Sequence, residues 1–161
     1  MWCERGESGG NQISWALLMF YGEYEHSLDE KGRLIIPSRV RDVMKQEGVT
    51  SFIITRGLDE CLFLFSTQQW GAHEERLASL PLEKSNARRF TRMFFSGAAE
   101  CSLDKQGRIF IPANLREHAH IEKDVVIIGV QSRLEVWDKA GWESFSQDSK
   151  ESYEQIAEEL W

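Results

Sequence analysis

Apolar and polar residues alternate over residues 21–28, the period of a half-buried strand. Residues 29–32 break that rhythm as a turn, in which Asp29 bonds its own backbone and Gly32 supplies a positive φ. Leu34-Ile35-Ile36 predicts a short apolar strand, and Pro37 opens a helix at its first position, where a missing N–H costs nothing. Val40, Val43 and Met44 fall on one face of that helix, and Gly48 ends it. The β-branched and aromatic run 51–55 predicts a strand, 56–60 a hairpin connection and 61–65 the returning strand. Helices follow over 68–80 and 86–95.

The pattern then starts again. A strand runs through Cys101, a turn covers 104–107, and a strand covers 109–111. A helix runs from Pro112 to about His120, and strands follow at 125–129 and 134–137. A long acidic helix closes the chain from about Gly141. The repetition extends to the letters. Ser27-Leu28-Asp29-Glu30-Lys31-Gly32-Arg33-Leu34-Ile35-Ile36-Pro37 is matched by Ser102-Leu103-Asp104-Lys105-Gln106-Gly107-Arg108-Ile109-Phe110-Ile111-Pro112, 75 residues later. That offset holds to Arg41 and Arg116 and then falls to 72, which aligns residues 62–65 with 134–137 and Trp70 with Trp142. A half that cannot bury its own apolar face packs against its copy. The expectation is therefore one pseudo-two-fold domain of two repeats, 19–95 and 96–161. Residues 1–18 fit neither repeat and are read as an N-terminal extension, disordered or foreign to the fold.

Composition narrows the classes. The 161 residues are 42% hydrophobic, enough for one packed domain. No apolar run approaches the roughly 20 residues that span a bilayer, so no membrane partner is expected. Cys3, Cys61 and Cys101 stand apart, which points to reduced thiols in a cytoplasmic protein, with Cys61 and Cys101 as small apolar fillers. The net charge of −7 argues against a polyanion partner until it is located. Residues 135–161 hold eight acids and two bases, whereas residues 19–134 hold 16 of each. The acidity thus lies in the tail helix, and the body is free to present a basic face.

The repeated Asp-x-x-Gly-Arg turn is the candidate chemistry: Asp29, Lys31, Gly32 and Arg33, then Asp104, Lys105, Gly107 and Arg108. Glycine allows the tight turn. The arginine four positions after the aspartate starts a strand with a permanently charged fork of five donors. Such a fork suits phosphate oxygens or the O6/N7 edge of guanine, with the aspartate holding its rotamer. The same pair equally suits a turn cap and a surface ion pair.

The segment Met19-Phe20-Tyr21-Gly22-Glu23-Tyr24, the two Ser-Leu-Asp-x-x-Gly-Arg segments and the following Arg41 and Arg116 resemble the MraZ family over essentially all of 19–161. Each half also resembles the AbrB-type swapped-hairpin domain. The resemblance implies an α+β, β-rich fold, a double-split β-barrel made from both halves with peripheral helices. It implies a ring-shaped homo-oligomer in the bacterial cytoplasm, associated with the nucleoid. It also implies a sequence-specific regulator that binds double-stranded DNA at repeated promoter boxes and represses its own division and cell-wall gene cluster. In that family the Asp-x-x-x-Arg signature is tied to DNA contact, which here places it on Asp29/Arg33 and Asp104/Arg108. Gln106 stands where the first repeat has Lys31, so the two sites are not expected to bind equally.

Other signals yield little chemistry. Arg88, Arg89 and Arg92 share a helix with Phe90, Phe94 and Phe95; burial of the Phe face is expected, with the arginines solvated or paired across a subunit boundary with Glu151, Glu154, Glu158 and Glu159, and a DNA contact is the lesser alternative. Trp70, Trp137 and Trp142 suit packing. His118-x-His120 lacks the further ligands of a metal site, and no phosphate loop, dinucleotide fingerprint or nucleophile elbow is present, so no enzyme, cofactor, metal or small-molecule substrate is expected. The competing reading is a protein-interaction scaffold or antitoxin-like module, since AbrB-type barrels also bind proteins. An RNA partner is weaker, because the strands show no stacking platform.

Overall fold

The computed structural model describes residues 19–161; the expectation for 1–18 lies outside the described residues. The first repeat contains β1 (Glu23–Ser27), β2 (Arg33–Ile35), α1 (Ser38–Gln46), β3 (Ser51–Arg56), β4 (Leu62–Phe65), α2 (Thr67–Ala78) and α3 (Ser85–Ser96). The second contains β5 (Ala99–Ser102), β6 (Arg108–Phe110), α4 (Ala113–His118), β7 (Asp124–Val130), β8 (Arg133–Asp138) and α5 (Lys139–Leu160). The molecule is mixed α+β and sheet-rich.

Six strands form one antiparallel sheet in the order β1-β7-β8-β4-β3-β5, and β2 pairs with β6 in a separate two-stranded ribbon. Replacing each strand by its repeat partner returns the same order read backwards. The axis of that exchange falls at two places. Phe63 pairs with Glu135, at the 72-residue offset, and Leu34 pairs with Ile109, at the 75-residue offset. Each half lends its first strand to the other: β1 pairs with β7, and β5 with β3. Neither half therefore holds its own sheet complete.

The core lies between the ribbon and the main sheet. Leu34, Ile36, Ile109 and Ile111 pack with Phe52, Ile54, Leu62, Leu64, Val125, Ile127, Leu134 and Val136 in one buried cluster. Each such side chain contributes about 1.5–3 kcal/mol when fully removed from water.

Local chemistry sets the boundaries. Pro37 sits at the N-cap of α1, so the helix starts at Ser38, one residue after the expected start. The end of α1 is a Schellman motif: Val49 N donates to Met44 O at 2.8 Å, Gly48 N donates to Lys45 O at 3.3 Å, and Gly48 has φ +69°. Helix α4 closes the same way with His120 at φ 54°, but it is three residues shorter, six against nine. That missing turn is where the repeat offset falls from 75 to 72. Helix α5 begins at Lys139, two residues before the expected start, because Asp138 caps it and accepts from Gly141 N at 3.3 Å.

Aromatic residues seat the outer helices. Trp137 is buried and packs with Trp142 and Phe145, while Trp142 Nε1 donates to Glu23 Oε1 at 2.9 Å and ties α5 to β1. Trp70 stacks on Phe94 with centroids 5.4 Å apart. The Phe face of α3 differs from expectation: Phe94 is buried, but Phe90 and Phe95 remain exposed. Within the chain, Arg88 Nη1 donates to Leu82 O at 2.7 Å.

Candidate nucleic-acid interface

The two turns are built alike. Gly32 N donates to Asp29 O and Gly107 N to Asp104 O, each at 3.0 Å, and both glycines lie at positive φ, +80° and +78°. Asp29 Oδ1 accepts from Lys31 N at 3.0 Å and Arg33 N at 2.9 Å. Asp104 Oδ1 accepts from Gln106 N and Arg108 N, each at 2.9 Å. The second carboxylate oxygen receives the guanidinium: Arg33 Nε to Asp29 Oδ2 at 2.7 Å, Arg108 Nε to Asp104 Oδ2 at 2.8 Å. Each aspartate therefore caps its turn with one oxygen and fixes its arginine with the other. Cap and arginine clamp, open alternatives in the sequence, are both present in one side chain.

These bonds hold both carboxyls below the ordinary carboxylate range. The arginine backbone amide is the largest cause in each turn, and the guanidinium and the second turn amide add to it against some desolvation.

The ribbon brings the turns together. They enter it from opposite ends, and its register places Arg33 opposite Phe110 and Ile35 opposite Arg108. Strand pleating puts these four side chains on one face, with Leu34 and Ile109 on the other. Arg33 and Arg108 thus hold diagonal positions on the outer face. Arg108 Nη1 comes within 3.7 Å of Asp29 Oδ2, so Asp29 touches the arginines of both repeats. The side chains of Arg33 and Arg108 are 32% and 22% exposed, so neither is sealed inside the fold. Arg108 is the more engaged, because its Nη2 also contacts Gln106 Oε1. Arg33 has no further partner among the described residues. Lys31 and Lys105 are exposed at the turn tips, and Gly32 and Gly107 are buried beneath them.

Sequence reasoning missed three features here. Ile35 and Phe110 point outward, 39% and 52% exposed, beside the arginines. The strands read as continuous apolar runs, which conceals a period-two alternation. The second feature is a crossing. Arg41 of α1 lies against Gly107 and Arg116 of α4 against Gly32, so each helix supports the turn of the other repeat. Ile36 N to Gly107 O and Ile111 N to Gly32 O, both 2.9 Å, cross in the same way. The repeat of Arg41 and Arg116 was visible in the sequence; their partners were not. The third is Lys45, which lines a groove with Arg41 and Lys105 beside the second turn.

Two other signals fall apart. His118 Nε2 faces Gly57 O at 3.4 Å, and His120 faces Glu60 at 3.6 Å, so the histidines go to different partners. No group of three or more metal-ligating side chains occurs among the described residues.

Comparison with known proteins fits this doubled geometry. The family model described as "MraZ protein, putative antitoxin-like" matches twice, over residues 19–93 and 94–161. The chain belongs to the MraZ family. It is 53% identical over 142 residues to a protein of Thermoanaerobacter sp. (strain X514) named Transcriptional regulator MraZ, covering 88% of this chain and 96% of that protein. Relatives of the same name in Acetivibrio thermocellus and Moorella thermoacetica are 56% and 50% identical over the same shares. Transcriptional regulation, the role in those names, is not an enzymatic one. No helix of the described residues is long and apolar enough to cross a membrane.

Proposed function

We propose that this MraZ-family chain is a sequence-specific transcriptional regulator that binds double-stranded DNA through the outer face of the β2–β6 ribbon. The observation that supports it is the placement of Arg33 and Arg108 on one exposed face, each with Nε bound to its own aspartate. With Nε occupied, the terminal nitrogens are aimed by the turn rather than by a flexible stem, which suits bidentate contact with guanine O6/N7. The major groove admits a two-stranded ribbon. Two residues along a strand span roughly 7 Å, about two base-pair steps, so the two arginines would reach nearby base pairs. Lys31 and Lys105 at the tips would hold phosphates.

In this reading the swapped strands and the ribbon together form a double-split barrel, with 19–95 and 96–161 as repeat units of one domain. Each protomer makes few contacts, so a ring of protomers would engage repeated promoter boxes and gain affinity through effective concentration. Exposed apolar side chains on α3 (Phe90, Met93, Phe95) and α5 (Tyr153, Ile156, Leu160) support self-association. The acids of α5 and the exposed Arg89 and Arg92 of α3 are complementary across such a boundary. The regulator would act in the cytoplasm at the nucleoid, repressing its own division and cell-wall cluster.

The test is a mobility shift on the region upstream of the chain's own gene, with Arg33→Ala/Arg108→Ala in the assembled state confirmed by mass. Binding should fall at least tenfold near physiological salt; unchanged binding overturns the proposal. Stoichiometric recovery of a protein partner, with no shift of DNA, would favour the antitoxin-like reading instead.

A further inference from the structure

The doubled turns suggest two equal halves of one binding face, but the ground beneath them differs. A groove of about 390 Å³ runs between the C-terminal half of α1 and the second turn. Arg41, Lys45 and Lys105 line it, with Asp104 as its acid. The Asp104 carboxylate is occupied by Arg108 Nε and two turn amides. Lys45 and Lys105 are exposed and have no ion-pair partner among the described residues. Arg41 Nε donates to Ile36 O at 2.9 Å, which leaves its terminal nitrogens beside Gly107.

The first turn matches only one of these three cations in place, Arg116 against Gly32, and carries Lys31 at its tip. Position 105 corresponds to Glu30, an exposed acid without an ion-pair partner among the described residues. Lys45 sits on the last turn of α1, the turn that the shorter α4 lacks. The three-residue shortening and the exchange of Lys105 for Glu30 thus remove two of the groove's three cations from the first turn, which keeps Arg116 and, at its tip, Lys31.

We propose that the groove formed by Arg41, Lys45 and Lys105 is a phosphate subsite for the DNA backbone, present once per protomer at the second turn only. This rests on the DNA-binding reading above. It gives the two arginines different settings: Arg108 lies next to an anchored phosphate, and Arg33 is left to respond to the base. An open, solvent-lined groove with two cations on flexible stems suits a phosphate delivered on a duplex, rather than a free anion that needs an enclosed cradle.

The test is anisotropy titration of the full-length assembled protein, from 50 to about 200 mM salt, against two duplexes: the upstream region of its own gene and a scrambled sequence of equal length. Lys45→Gln should weaken both duplexes by a similar factor, about three- to tenfold, and reduce the slope of log K against log salt by about one per groove engaged. Glu30→Lys should act in the opposite direction on both. Lys150→Gln on α5 should change neither. An unchanged slope in Lys45→Gln, or a loss confined to the upstream duplex, overturns the subsite while leaving the DNA reading intact. Absence of wild-type binding to either duplex overturns both. Displacement of DNA by inorganic phosphate at constant ionic strength would assign the groove to a free anion and likewise overturn it.

Discussion

Arg41 lies across Gly107, a residue of the other repeat: a Cβ built on Gly107 would come within 2.6 Å of Arg41 Cδ. The second turn is therefore held by the helix that follows the first. Glycine at 107 serves two needs, a φ of +78° and room for the arginine stem. Gly48 is a natural control, with φ +69° and open space for 4 Å around the place a Cβ would take. Gly107→Ala should cost about 1–3 kcal/mol, and Gly48→Ala should fall at the lower end of that range, because only backbone strain applies. Denaturant midpoints at equal protein concentration measure the difference.

The ribbon is attached to the sheet through Leu34 and Ile109, both almost wholly buried. Leu34→Ala or Ile109→Ala should destabilise by about 2–5 kcal/mol, from lost transfer energy plus the cavity. Because the pair spans the two halves, either change should weaken both in one cooperative transition. Two separated transitions by circular dichroism would contradict the interlocked sheet.

Asp29 and Asp104 predict a pH dependence of known sign. Each carboxyl is held below its ordinary value of 3.8, so its contribution is complete above that value and is lost as pH falls through the lower folded one. The turns should stay ordered through pH 5 and loosen only below about pH 4, given the ordinary carboxylate range. Amide exchange at Arg33 N and Arg108 N reports this directly; loss near pH 6 would assign the order to another group.

Asp29 touches both arginines, and Asp104 only its own. Asp29→Asn keeps an oxygen for the turn amides but removes the charge that fixes two guanidinium groups. It should reduce DNA affinity more than Asp104→Asn, by about two- to fivefold if the extra ion pair contributes up to about 1 kcal/mol. Equal effects of the two substitutions would show that the cross-repeat contact at 3.7 Å carries no weight.

Cys61 and Cys101 are buried, and burial raises both thiols, Cys101 to about 12. Thiolate is the reactive form, so both should resist neutral alkylating reagents until the protein unfolds. Mass spectrometry of labelled peptides, with and without denaturant, checks this.

Local chemistry was legible because it acts over a few residues. The Asp-x-x-Gly-Arg turns, the glycine after α1 and the alternating strands each follow from neighbours in sequence, and the repeat announced two matching halves. Where the letters misled, the cause was equally physical. Pro37 caps rather than starts its helix by one position, and an unbroken apolar run hid which of Leu34 and Ile35 faces the core. What sequence could not decide is who touches whom across the repeats. The exchange of β1 and β5, the crossing of Arg41 and Arg116, and the sharing of Asp29 between two arginines all join residues about 50 to 100 positions apart. Such contacts are set by how two incomplete sheets close on one core, and no local propensity encodes that closure.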